Sequence, residues 1–265
     1  YYSGISTDAL LKDLFELIGF HTLTIELLAK TLETNFTIGG LSELIDYLKN
    51  KTISNEDWQV AIQTEYDDKT INLKNHLLNA FELVSLSEYE IKILSHFSVL
   101  PTLHFSGKEL LKLFSVDENH YNDFIDAINQ LVKKGWIILV GDSYQMHALI
   151  QEVIKVAIIP TLENSLSLIE GLCDYLSVSE YSSLKMKIKY ISCSQHLLTI
   201  INKESDEINT LNNLVAIGLT NKGDYLNALV YAEKALKYAK KIGDDHLVYQ
   251  TYSTIGMINR HLGNL

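Results

Sequence analysis

The stretch Trp136-Ile-Ile-Leu-Val-Gly-Asp-Ser-Tyr-Gln-Met-His147 follows a grammar of its own: a β-branched apolar run, a glycine-led turn at Gly141-Asp142-Ser143, and a second short run ending in a histidine. Two short apolar runs joined by such a turn predict a β-hairpin. On both sides of it the apolar residues recur at helical spacing instead. Upstream, Leu77 to Val84, Glu88 to Val99, Gly107 to Phe114 and Glu118 to Lys134 read as helices, with Ser87 as an N-cap and Pro101 as a stop. Downstream, Leu149 to Ile159 reads as one more helix, ended by Pro160.

Helices followed by a hairpin and a closing helix give the order of a winged-helix domain, expected over 76–159. The residues before it, 1–75, read as a small helical module. Apolar residues recur from Asp8 to Leu32 with a break at Gly19, a short helix follows from Leu41 to Leu48, and Lys49 to Lys69 is polar enough to connect. The chain has 265 residues, 47% hydrophobic and 21% charged, with only 2 prolines. That supply of apolar residues suits an ordered chain of two or three small domains, and so little proline argues against a turn-dense sandwich or barrel. The expected class is therefore mainly α: a helical subdomain, a winged-helix domain with a small β-hairpin, then α-α superhelical repeats.

Those repeats are expected over 160–265. Helical patterns run from Leu162 to Leu176, Leu184 to Ile201, Ile208 to Lys222, Tyr225 to Ile242 and His246 to Leu262. Placing Gly223 over Gly263, an offset of about 40 residues, superimposes Val215-Ala216 on Ile255-Gly256. After Gly223-Asp224-Tyr225 come Ala228, Ala232 and Ala235 on one helical face, where small residues let two antiparallel helices approach closely. A helix pair without neighbours cannot bury its face alone, so the array is expected to continue past Leu265, and the chain to be a piece of a longer polypeptide.

The string Ala228-Leu-Val-Tyr-Ala-Glu-Lys-Ala-Leu236 with the preceding Gly223-Asp-Tyr225 resembles a tetratricopeptide repeat of the longer kind. Tyr144-Gln-Met-His-Ala-Leu-Ile-Gln-Glu-Val153 resembles the Met-His-Asp element of NB-ARC-type STAND signalling ATPases, and Ser85 to Pro101 is similar to the first helix of their winged-helix domain. Gly19-Phe-His-Thr-Leu-Thr-Ile-Glu-Leu-Leu-Ala29 resembles the Gly-Leu-Pro-Leu-Ala element of their helical subdomain, with Thr22 in the proline position. The order of the three modules agrees with the family over nearly the whole chain.

What the resemblance implies is the regulatory and sensor portion of a signal-transduction switch gated by ATP or ADP. Nucleotide would lie between a P-loop domain and these modules, with His147, Met146 and Thr22 as the cofactor-binding residues. The repeats would bind a protein or peptide ligand, and activation would bring self-oligomerisation. Two departures from the pattern stand out. Ala148 replaces the Asp that locks the inactive state, and no Gly-x-x-x-x-Gly-Lys-Ser/Thr occurs, since Gly107-Lys108 is followed by Glu109 and Thr102 replaces the leading glycine. This chain by itself is expected to be no enzyme, with an ATPase in the intact parent.

Other chemistries have less to stand on. Among nine histidines, Cys193 and His196 form the only close Cys/His pair, two ligands where a structural zinc needs four, so no metal is expected. Gly-x-Ser-x-Gly and His-Glu-x-x-His are both missing. The alternatives to the switch are a nucleotide-independent tetratricopeptide scaffold and a winged-helix DNA-binding regulator. Against the second, Glu118 to Lys134 carries Glu118, Asp123 and Asp126, with cations only at Lys133 and Lys134. The net charge of −11 opposes both nucleic acid and anionic membrane as partners. The longest apolar runs fall short of a bilayer span, and two cysteines inside helical patterns suit free thiols in a reducing compartment, so a cytoplasmic place is expected.

Overall fold

The computed structural model describes residues 7–17, 22–34, 45, 78, 85–177 and 184–264. The helices expected at Leu41–Leu48 and Leu77–Val84, the link Lys49–Lys69 and the break at Gly19 lie outside these residues, except that Ile45 and Leu78 are helical and buried. The fold is mainly α with three short strands among the described residues. In chain order these are α1 (Thr7–Leu17), α2 (Thr22–Thr34), α3 (Glu88–Ser98), β1 (Phe105–Ser106), α4 (Gly107–Leu113), a 3-10 turn at Glu118–His120, α5 (Tyr121–Lys133), β2 (Ile138–Val140), β3 (Ser143–Gln145), α6 (Ala148–Ala157), α7 (Leu162–Ser177), α8 (Leu184–Ile200), α9 (Asp206–Lys222), α10 (Tyr225–Ile242) and α11 (Asp245–Leu262). Among the described residues no helix is long and apolar enough to cross a membrane.

The chain divides into two compact units, residues 1–94 with 122–159 and residues 95–121 with 160–265. The segment 76–159, expected as one domain, contributes to both. In the first unit Ser87 caps α3 as the sequence suggests: its Oγ accepts the Glu90 N–H at 3.2 Å, and the Glu90 carboxylate accepts the Ser87 N–H at 2.7 Å. This reciprocal box satisfies two donors that the helix start would otherwise leave unpaired.

The hairpin forms, but shorter than its apolar run. Ile138 pairs with Gln145, Leu139 with Tyr144 and Val140 with Ser143, across the two-residue turn Gly141-Asp142. Gly141 has φ +59°, the left-handed value that a turn with glycine first requires. Trp136 and Ile137 stay out of the ladder because their N–H groups both donate to Leu131 O, finishing α5 around Gly135 at φ +83°. Their apolarity reflects core burial, and both are fully enclosed. At the start of α5, Glu118–His120 is a tighter 3-10 turn because the Asp117 carboxylate takes the N–H groups of Asn119 and His120.

In the second unit α9, α10 and α11 each end on a left-handed glycine, Gly223, Gly243 and Gly263, and the first two hand the chain to the next helix after one residue. Ala228 and Ala232 are completely buried in a cluster with Val215, Ala216 and Leu219 of α9, as the small-residue face of the sequence requires. A tie across long sequence separation joins α4 to α8. Ser106 and Glu109 form a second capping box, and Glu109 also accepts from Lys189 Nζ at 2.7 Å and Tyr190 Oη at 2.9 Å. Partial burial pushes the Glu109 carboxyl up, but the bonds from Lys189, the Ser106 N–H and Tyr190 outweigh it and hold the group below its usual value of 4.5.

That direction fixes a pH dependence. A carboxyl with a depressed folded value contributes stability that is present above its unfolded value and lost as pH falls through the folded one. The gap in denaturation midpoint between wild type and Glu109→Gln is therefore expected to be widest near neutrality and to close on acidification below about 4.5. A gap that stays constant from pH 7 to pH 3 would remove the tie from the stability of this unit.

Candidate functional site

His147 stands where β3 gives way to α6 and serves as the N-cap of that helix. Its Nδ1 accepts the Leu149 N–H at 3.1 Å, a side-chain bond to the second helical residue, while its carbonyl accepts the Gln151 N–H at 3.0 Å. A neutral imidazole whose Nδ1 accepts carries its proton on Nε2. The ring is exposed, so it presents an N–H donor at the helix start, where orphan backbone amides and the helix dipole also favour an anion. Ala148 follows, also exposed, and brings no carboxylate to this end of the hairpin.

The other two residues expected around nucleotide fall differently. Thr22 is exposed at the first position of α2, whereas Met146 is only 1% exposed and belongs to the core. Of the three, Thr22 and His147 present polar atoms to solvent. Among the described residues no hydrogen bond links them.

Lys134, one of the two cations considered for DNA, is 14% exposed and donates to Glu90 Oε1 at 2.7 Å and to Ser85 O at 2.8 Å. Cys193 is buried, and burial pushes its thiol up to about 12, as it does for Cys173. Neither sulfur is a ready thiolate.

A second candidate lies in the repeats. A cavity of about 430 Å³ opens between α9 and α11, lined among others by Asn209, Asn213 and Ile217 from the first and Tyr249, Gln250 and Thr254 from the second. The Oδ1 atoms of Asn209 and Asn213 are buried and accept no hydrogen bond. No sequence motif singles out these residues. The signal was nevertheless there: Asn209-Thr-Leu-Asn-Asn213 puts four poor helix formers into the first half of a helix.

The chain matches no family model, no curated protein and no solved structure.

Proposed function

We propose that this chain is the regulatory and sensor portion of a nucleotide-gated switch. The winged-helix segment closes on ADP or ATP held by a P-loop domain elsewhere in the parent protein, and the repeats take up a protein or peptide ligand. The observation that carries this reading is the histidine cap. With Nδ1 occupied by the Leu149 N–H, His147 offers Nε2–H outward beside the start of α6, the arrangement a terminal phosphate oxygen accepts from. Thr22 is the second contact in this reading. Thr22 is exposed at the start of α2, where its hydroxyl can meet a base or ribose.

The chain supplies no phosphate cradle of its own, so by itself it is expected neither to hydrolyse ATP nor to retain nucleotide, because backbone donors and a lysine carry most of the affinity in such sites. In the intact protein, His147→Ala is expected to weaken ADP binding by about 1.5 to 3 kcal/mol, the contribution of one charge-assisted hydrogen bond. Calorimetric titration of ADP into both proteins measures it. Equal affinities would make the likeness at this position accidental.

The groove between α9 and α11 favours a second reading, a nucleotide-independent scaffold in which a peptide lies along the groove, against Tyr249 and Gln250 among others. Both readings give the groove the same role, and the ADP titration separates them. A winged helix that reads DNA draws less support: Asp123 and Asp126 lie on α5, and Lys134 is already paired with Glu90.

A further inference from the structure

The side chains that cap the helix starts differ in one chemical respect. Ser87, Ser106, Thr161 and Ser205 cap with a hydroxyl, and Asp117 and Asp244 with a carboxylate. Neither kind of acceptor takes up its proton between about pH 5 and 8, the range in which an imidazole does. Of these side-chain caps only His147 belongs to that class. Its bond is of the N–H···N type, from the Leu149 N–H to Nδ1 at 3.1 Å, and it needs a lone pair that Nδ1 has only while the ring is neutral.

Protonation puts a hydrogen on both ring nitrogens, so Nδ1 turns from acceptor to donor and repels the Leu149 N–H. The new positive charge also stands at the positive end of the α6 dipole. Nothing at the helix start offsets it. The first turn of α6 carries no acid, Ala148 is exposed and offers no acceptor, and Glu152 in the next turn is paired with Lys155 at 2.9 Å. From the hairpin the titratable residues are Asp142 in the turn and Tyr144 on β3. Among the described residues no ion pair and no further hydrogen bond joins the ring to either of them, or to the charged residues of α1, α2, α3 and α5. The effect stays local. The His147 carbonyl accepts the Gln151 N–H at 3.0 Å whatever the charge of the ring, and buried Ile150, Val153 and Ile154 keep α6 in the core.

We infer that the β3–α6 junction is a proton-operated latch. Neutral His147 locks its ring onto the start of α6 with Nε2–H turned outward, and protonation frees both the ring and the Leu149 N–H. The latch regulates the site described above, but it works in this chain without nucleotide, so a failed ADP titration leaves it standing.

Nitrogen-15 NMR of the chain, titrated from about pH 8 down to about pH 5, tests it. A scalar coupling across the hydrogen bond, between Leu149 N and His147 Nδ1, is expected at the alkaline end and lost at the acid end. The Leu149 amide shift is expected to move with the same midpoint as the ring. In His147→Asn the carboxamide caps at every pH, so the Leu149 shift is expected to stay flat over the same range. Urea titration supplies a second readout. His147→Asn is expected to match wild type at the alkaline end and to be about fivefold more favoured in its folding equilibrium at the acid end, the usual worth of one N-cap. A neutral ring that carries its proton on Nδ1, a Leu149 shift that does not follow the ring, or an equal pH response in His147→Asn would overturn the latch.

Discussion

Gly171→Ala is expected to destabilise the second unit by about 3 kcal/mol, at the upper end of what overpacking costs. Gly171 lies inside α7, and a Cβ there would sit 2.2 Å from Leu113 O, 2.6 Å from Leu113 C and 2.8 Å from Lys112 O. These are backbone atoms at the end of α4, so no side-chain rotation relieves the clash and the two helices must move apart. Helix propensity works the other way, since alanine is favoured over glycine by about 1 kcal/mol in a helix interior. The steric term wins because several sub-3 Å contacts fall on one atom. Gly256 in α11 supplies the control: a Cβ there meets nothing within 4 Å, so Gly256→Ala is expected to stabilise by about 0.5 to 1 kcal/mol. Thermal melts should separate the two in sign. A neutral Gly171→Ala would mean that α4 and α7 are not in contact.

Lys134→Met is expected to cost on the order of 3 to 5 kcal/mol, because it leaves a buried carboxylate with no cation. Glu90 is 6% exposed on its side chain and Lys134 14%, so water does little to replace the lost partner. The Ser85 carbonyl loses its donor in the same step. The double variant Glu90→Gln, Lys134→Met removes the charge as well as its partner and is expected to recover most of the loss, since Gln keeps an acceptor for the Ser87 N–H. Urea titration of the three variants against wild type measures this. A double variant as unstable as the single one would show that the side-chain stem of Lys134, rather than its charge, holds the site.

What was legible in the chain was local. Ser87 announced its cap because the serine and Glu90 lie three residues apart, within reach of one helical turn. The hairpin was legible from Gly141, since a positive φ at that point suits little else. The alanine face of α10 was legible because burial of small residues repeats with the helix. Gly171 was not, since a glycine in a helix says nothing about which backbone will lie against it. Asn209, Asn212 and Asn213 of α9 look polar and dispensable in sequence. Only the packing of α8, α10 and α11 around them makes their oxygens buried and unmet. His147 was singled out by resemblance, and its cap on α6 was not, because histidine is an uncommon N-cap.

The tie between Glu109 and Lys189 closes a loop of 80 residues. Helices α9 to α11, joined by glycine turns, meet partners a few tens of residues away at most, and contacts of low sequence separation form early in folding. Closing the long loop costs chain entropy that grows as about the logarithm of its length, and few contacts offset it until α4, α7 and α8 are already helical. The order of events therefore runs from the C-terminal helices toward α4. Refolding followed by pulsed hydrogen exchange would show the amides of α9 and α10 protected before those of α4.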